Sequence, residues 1–403
     1  MRPRGGSRHR RPDAVKKTIL APAETQSLVP TLRATRNPNA WVYRYEHPNG
    51  WRLSIATHAE PGSDKLSLGG FRIAPEERTS VPGFDSDVEA IELAMGMEEK
   101  VYWSRIIGVG GPLARRDMNR IVGGKCVLHP APDARVGQRR DQEMLDFAAT
   151  CLTDCDMTAG IRITTGQDLG HGVLSDGKTQ SLAYLHRRFR GSVVADTSKP
   201  TGEGNYFVLR GMLRAFGIDI SNATVGLIGG GNIGLHIAER LRNHGTTMIA
   251  VEARADRRAM LHELGAATRI PDQKEAFLAE PIDALVVNAS GGSLDADSVQ
   301  QIARNPRLRV ICGSENLVMP NPADAGVLRA AGKAYCPTEL GGMMGYLTAV
   351  EQYLAELEHV PFDVQTLFDA AAQLEEPAFA ATRHMIENQF AIDFETAVEA
   401  VCT

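Results

Sequence analysis

The stretch Val225-Gly226-Leu227-Ile228-Gly229-Gly230-Gly231-Asn232-Ile233-Gly234, followed by an amphipathic run and then Met248-Ile249-Ala250-Val251-Glu252, decides the fold. Its parts run strand, glycine-rich turn, helix, second strand, acid. A dinucleotide is held by parts in that order. Gly229 permits the tight turn, Gly231 lets backbone approach a pyrophosphate, and Gly234 lets helix and strand pack closely. The pyrophosphate then lies against free N–H groups at the positive end of the helix, where Asn232 and Ile233 sit. Glu252, 18 residues past Gly234, stands where an acid meets the adenosine ribose hydroxyls. A bare G-x-G-x-x-G is weak evidence; here the strand, helix and acid around it are all present.

Outward from this core the second half alternates. Strands are expected at 224–228, 247–251, 283–288, 308–312 and 334–336, with helices at 233–243, 258–264, 294–303 and 323–331 between them. Alternation at this spacing means a doubly wound parallel sheet, with ligands at its carboxyl edge. The first half is less regular. It offers strands at 41–46, 52–57, 66–73, 125–128 and 192–195, and helices at 85–96 and 141–151. His47-Pro48-Asn49-Gly50 reads as a hairpin turn. The Ser/Pro/Gly-bearing segment 196–204 reads as an interdomain linker. The fold expected is α/β in two domains: a substrate and oligomerisation domain over 21–200 and a Rossmann-type domain over 201–349. Helices over 350–403 are expected to pack back on the first domain, and residues 1–20 to form a disordered basic tail.

At 403 residues, two cores are the natural expectation. A net charge of −5 gives no reason to expect nucleic acid as a partner. The basic tract from Arg2 to Arg11 has no apolar run behind it of signal-peptide length, and no window approaches a membrane span. Either a disordered, solvated tail or a regulatory or nucleic-acid-binding arm fits it. The six cysteines form no CxxC pair, and Cys151 and Cys155 fall one turn apart on a helix. A reduced cytoplasmic protein without structural metal follows from that usage.

Three polar elements of the first half lie beside glycines, which let backbone and ligand come close. Gly96-Met97-Glu98-Glu99-Lys100 ends in a lysine, Gly123-Gly124-Lys125 opens an apolar strand, and Thr165-Gly166-Gln167-Asp168-Leu169-Gly170 carries an acid. Singly, each suits a solvated surface or a turn equally well. Taken in order with Leu68-Gly69-Gly70-Phe71-Arg72, Arg210-Gly211-Met212 and Gly313-Ser314-Glu315-Asn316, they resemble the Glu/Leu/Phe/Val amino-acid dehydrogenase family. The likeness runs from about Gly69 to Ala349 and is strongest to the leucine and phenylalanine dehydrogenase branch.

The resemblance implies roles. Lys100 would hold the substrate α-carboxylate, and Leu68, Gly69 and Gly70 would line the substrate. Lys125 would polarise the carbonyl or imine and handle water, and Asp168 would exchange a proton with the amino group. Gly229, Gly231, Asn232, Ile233, Gly234, Glu252, Ala289 and Asn316 would bind the coenzyme. Reductive amination independently needs these groups: a cation for the carboxylate, a low-pKa amine and a proton-carrying carboxylate. The family's hydride transfer across an interdomain cleft, closing to exclude water, would follow.

Leu68 takes the place of a lysine that meets the side-chain carboxylate in glutamate-acting members. A leucine cannot pair that charge, so an apolar, aromatic or non-standard L-amino acid is expected, although Leu68 suits plain strand packing equally. The departures are pronounced. Residues 105–120 add a loop between the two lysines. Val101-Tyr102 replaces Asn-Ala, Glu98 and Glu99 add negative charge, and Gly204 falls where relatives often carry a threonine. Glu339-Leu340-Gly341-Gly342 brings an acid toward the side-chain pocket, either solvated or welcoming a polar or cationic substrate group.

Glu252 favours NAD, while Arg254, Arg257 and Arg258 would suit the 2′-phosphate of NADP if their loop turned inward. The expected activity is reversible oxidative deamination by a homo-oligomer acting on a small amino acid or 2-oxo acid with ammonium. An imine or 2-oxo-acid reductase and a non-catalytic nucleotide-binding paralogue are the alternatives.

Overall fold

The computed structural model describes residues 15–403. Most of the expected basic tail therefore lies outside the described residues. Its last part does not follow the expectation: Lys16–Leu20 is a strand (β1). It pairs antiparallel with β2, and Lys17 Nζ reaches Asp154 at 2.6 Å.

The chain forms two compact units. The first takes the chain up to Ala94 with Gly124–Ser192; the second takes Met95–Gly123 with Val193–Thr403. The helices after Met343 thus belong to the second unit, whereas the sequence reading sends residues 350–403 back to the first.

In the first unit a six-stranded mixed sheet runs β1-β2-β3-β5-β4-β6, where β2 is Trp41–Glu46, β3 Arg52–Thr57, β4 Leu66–Ile73, β5 Ile121–His129 and β6 Arg162–Gln167. The strands through β3 and β5 pair antiparallel, and β4 and β6 pair parallel. The helix Asp141–Ala159 repeats its buried residues every three to four positions (Met144, Leu145, Ala148, Leu152, Cys155), the stripe that a helix lays on a core. No strand forms at 192–195; Ser192 makes one isolated bridge to Thr165.

In the second unit six parallel strands run β12-β11-β10-β7-β8-β9. They are β7 Thr224–Ile228, β8 Thr247–Val251, β9 Ala267–Arg269, β10 Ala284–Val287, β11 Val310–Gly313 and β12 Ala334–Tyr335. Written by chain order within the sheet this is 3-2-1-4-5-6 reversed end for end, with the topological switch between β7 and β10. The central strands β7, β10 and β11 are buried, near-continuous apolar runs, as parallel strands covered on both faces are. Ile228, Val251, Phe277, Leu285, Ile302 and Ile311 belong to one buried cluster.

Two sequence expectations fail here for the same reason. Residues 196–204 are no linker, because a helix spans Ser198–Ala215. Its glycines serve packing: a Cβ on Gly202 would meet His236 Cδ2 at 2.8 Å, and one on Gly204 would meet Met344 Cγ at 2.7 Å. Residues 105–120 are no open loop either. The helix Ser86–Ile107 runs through Lys100, and Pro112–Asp117 forms another helix. The Glu351 carboxylate caps that second helix, accepting from Leu113 N at 3.0 Å and Ala114 N at 2.8 Å.

Candidate active site

In the first unit, register brings the predicted chemistry together. The parallel pairing sets Gly69 against Thr165 and Gly70 against Gly166, so Asp168 emerges beside the carboxyl end of β4. Two glycines make the approach possible. A Cβ on Gly69 would lie 1.7 Å from Gly124 O on β5, and one on Gly70 would lie 2.8 Å from Lys125 Nζ and 3.3 Å from Asp168 Cβ. Lys125 projects into the space that Gly70 leaves and forms an ion pair with Asp168 Oδ2. Leu68, by contrast, is buried within β4.

Lys125 is 3% exposed. Burial is the main influence lowering its pKa below the ordinary lysine value, and Arg72 adds to it, outweighing the opposing pull of Asp168. Burial alone would push the Asp168 carboxyl up. Arg72 and Lys125 more than reverse this and hold it far below the usual carboxylate range. The pair therefore supplies an amine that gives up its proton readily beside a carboxylate that stays charged.

Two residues here escaped the sequence reading. Arg72 is 2% exposed, with Nε 3.2 Å from Asp168 Oδ2 and its other end paired with Glu89. Its signal was present in the motif: two residues past Gly70 on a strand, it shares Gly70's face. His171, which the sequence leaves open between a substrate contact and a solvated turn residue, is held by both ring nitrogens, with Nε2 2.8 Å from Phe71 O and Nδ1 2.9 Å from Ser181 Oγ. Burial lowers its pKa.

In the second unit, the glycine turn behaves as its sequence requires. Gly229 has φ +93°, and a Cβ there would lie 2.6 Å from Asn288 O. A Cβ on Gly234 would lie 2.1 Å from Gly229 O, so only glycine lets the helix Asn232–Asn243 start so close to β7. Gly231 differs: a Cβ there would meet nothing within 4 Å. The turn thus presents an open face at Gly231, and no side chain caps the helix start at Asn232 and Ile233. These residues fit a dinucleotide's pyrophosphate. The Glu252 carboxylate lies at the same turn, accepting from Gly230 N at 2.5 Å and Arg254 N at 2.7 Å.

The basic residues after Glu252 are already engaged. Arg254 pairs with Asp256 at 2.7 Å, Arg258 donates to the Glu252 carbonyl at 2.8 Å, and Arg257 reaches Asn232 Oδ1 at 3.1 Å. The Ala289 N–H donates to Glu315 Oε2 at 2.9 Å. Glu315, 2% exposed and given no role of its own by the sequence, also accepts from Ser293 N and Oγ and so fixes the loop after β10.

Lys100, on the helix Ser86–Ile107, is 5% exposed and donates to Asn316 Oδ1 at 3.2 Å in the loop after β11. One turn earlier on that helix, a Cβ on Gly96 would lie 3.5 Å from Glu339 Oε1. Gly341, two residues past Glu339, sits where its Cβ would be 2.0 Å from Gly313 O, at the carboxyl end of β11. Lys125, Asp168, Gly69 and Gly70 thus group in the first unit, and Lys100, Asn316, Glu252 and the glycine turn belong to the second. Among the described residues no cluster of His, Cys, Asp and Glu suits a metal ion, and no helix is long and apolar enough to cross a membrane.

No family model matches the chain. It is similar to the valine dehydrogenase of Streptomyces coelicolor, 23% identical over 310 residues that cover 71% of this chain and 73% of that protein. The valine dehydrogenase of Streptomyces albus is 24% identical over the same shares. Among solved structures, the fold is similar to L-tryptophan dehydrogenase from Nostoc punctiforme, with a TM-score of 0.59 and 16% identity over 88% of this chain and 92% of that one. It is also similar to a hetero-hexameric glutamate dehydrogenase from Thermus thermophilus, with a TM-score of 0.63 and 15% identity over 97% and 87%. The ordered motifs, the 3-2-1-4-5-6 sheet and these relatives converge: the chain is similar to amino-acid dehydrogenases of the Glu/Leu/Phe/Val kind.

Proposed function

We propose that this protein is a nicotinamide-dependent amino-acid dehydrogenase that interconverts an L-amino acid with its 2-oxo acid and ammonium. The observation that carries the reading is the ion pair of buried Lys125 with half-buried Asp168 under Gly70, in a chain that also carries an open glycine turn on a dinucleotide-type sheet. The valine dehydrogenase relatives support the same chemistry.

The nicotinamide supplies the hydride acceptor for the α-carbon. The chain's own residues do the rest. Lys100 neutralises the α-carboxylate. Neutral Lys125 takes a proton from the water that adds to the imine carbon, and as an ammonium it polarises the carbonyl in the reverse direction. Asp168, charged at rest, takes a proton transiently from the substrate ammonium and passes it on to water. Arg72 keeps Asp168 ionised and Lys125 easily deprotonated.

NAD is the coenzyme in this reading. The Glu252 carboxylate lies at the turn where a 2′-phosphate would meet its charge, and Arg254 and Arg258 have partners of their own. All six cysteines are free thiols, which supports a reducing cytoplasmic setting. Homo-oligomeric assembly belongs to the same reading; the Thermus thermophilus relative is itself an oligomer.

A panel of L-amino acids and 2-oxo acids, followed by nicotinamide absorbance with NAD and with NADP, tests it. Turnover is expected with NAD preferred, and the reductive direction is expected to need ammonium. Reduction without ammonium would favour an imine reductase.

Glu339 refines the substrate. Its carboxylate forms no hydrogen bond or ion pair among the described residues, one helical turn from Lys100. We assign it to a hydrogen-bond donor or cation on the substrate side chain, since an opposite charge offsets desolvation. Glu339→Leu is expected to shift the ratio of kcat/KM toward valine and leucine over a donor-bearing amino acid by about tenfold or more. An unchanged ratio would remove Glu339 from the pocket.

A further inference from the structure

His171 lies at the base of an excursion that leaves and re-enters the first unit. Residues 173–180 pair across it through the Val173–Gln180 bridge and Leu174 N to Thr179 O at 2.8 Å. Its two ends are tied by Ser181 N to Gly172 O at 2.9 Å and Gly172 N to Ser181 Oγ at 3.1 Å. Between this base and Asp168 there are only two residues.

The hydrogen-bond directions fix the ring's state. Phe71 O can only accept, so His171 Nε2 carries a proton. The Ser181 hydroxyl accepts from Gly172 N and has its own hydrogen to donate to Nδ1. A neutral Nε2–H imidazole satisfies every partner. Burial favours the same uncharged form.

The bond to Phe71 has a particular place. Phe71 is the last residue of β4 paired with β6, opposite Gln167, after which the two strands part. Beyond that point three links fasten the Asp168 loop to β4: the Arg72 side chain to Asp168 Oδ2 at 3.2 Å, Ile73 N to Leu169 O at 3.0 Å, and His171 Nε2–H to Phe71 O, the one of the three that holds the far end of the loop. Phe71 itself lies between Gly70, over which Lys125 passes, and Arg72, which holds Asp168. The imidazole therefore ties the loop bearing the carboxylate to the strand segment against which the lysine is placed.

We infer that His171 is a positioning residue of the reaction, holding Asp168 against Lys125 by clamping the loop that follows β6 to Phe71 of β4. The inference rests on the roles given to Lys125 and Asp168 above. His171 does not touch the reacting atoms. Its only route to the chemistry is the placement of Asp168. The charged groups that face it are Asp168 and Lys125 themselves, so a change at position 171 is read through them.

Three substitutions separate this from a merely structural role. His171→Asn keeps an amide at the height of Nδ1 and loses the bond to Phe71. His171→Gln places an amide N–H at the height of Nε2 and keeps it. His171→Ala loses both. Kinetics in the deamination direction are expected to give kcat about 10- to 100-fold lower for His171→Asn and His171→Ala with KM little changed, because carboxylate binding falls to Lys100. His171→Gln is expected to recover most of that loss.

The pH profile carries the second readout. Asp168 is the interaction that raises the pKa of Lys125, so loosening it in His171→Asn moves the limb belonging to Lys125 to lower pH. Thermal unfolding followed by circular dichroism checks that each variant, the first unit included, is folded. Lys125→Ala is measured alongside. If Lys125→Ala is inert while His171→Asn matches the parent in kcat and in its pH limb, the inference falls and the catalytic reading stands. If Lys125→Ala remains active, the catalytic reading falls and the inference goes with it.

Discussion

Replacing Lys125 by methionine is expected to lower kcat for deamination about 10³- to 10⁴-fold, the upper range for losing a positioned acid–base group. Methionine keeps most of the unbranched stem that fills the space over Gly70, and Asp168 keeps Arg72 as its counter-charge. The protein should therefore fold and bind NAD, and steady-state kinetics beside a coenzyme titration read the two apart. A loss below tenfold would mean that this amine does not handle the proton.

The sign of the pH effect follows from the environment. Burial and Arg72 lower the pKa of Lys125, so the neutral, proton-accepting form is reached at lower pH than for an ordinary lysine. Deamination should rise with pH along a limb below the ordinary lysine range. Asp168→Asn removes a contribution that raises this pKa, so its residual activity should carry the limb at still lower pH.

The second large effect concerns two glycines to which the sequence gives different tasks. A Cβ at Gly234 would sit 2.1 Å from Gly229 O, whereas a Cβ at Gly231 would meet nothing within 4 Å. Gly234→Ala must open the turn, so both thermal stability and NAD binding should fall. Gly231→Val should unfold at nearly the parent temperature yet weaken NAD about 100-fold, roughly 2.7 kcal/mol, because its branches fill the space that the pyrophosphate needs. Thermal unfolding with and without NAD measures both. Equal NAD affinity in Gly231→Val and the parent would move the coenzyme elsewhere.

The legible parts of this protein are those where a local pattern has one physical solution. Strand, glycine turn, helix and acid in order left little choice for residues 224–252, and β7 and β8 begin and end where the apolar runs do. Lys125 and Asp168 were found because each lies in a glycine-flanked motif. What is close in sequence was read correctly more often than what is close in space. Arg72 and His171 matter through partners 96 and 100 residues away, a separation that no motif spacing encodes.

Glycine was also the commonest source of error. Gly202 and Gly204 with Pro200 suggested a linker, yet they lie in the helix Ser198–Ala215, where the missing side chains admit His236 and Met344. Composition cannot tell a glycine that frees the backbone from one that makes room for a neighbour. The insertion at 105–120 was misread for a related reason, since its helix is capped by Glu351 from more than 230 residues away.

The bare start of the helix Asn232–Asn243 sets a compromise for anyone engineering this protein. Gly231→Ser or Gly231→Asp would provide the missing side-chain cap, a change that commonly adds about a few tenths of a kcal/mol of stability over glycine. The new side-chain oxygen would take the same amide hydrogens that a pyrophosphate uses, and an aspartate would repel it as well. Screening variants for heat resistance alone would favour such caps and return sturdy proteins that have lost their redox partner.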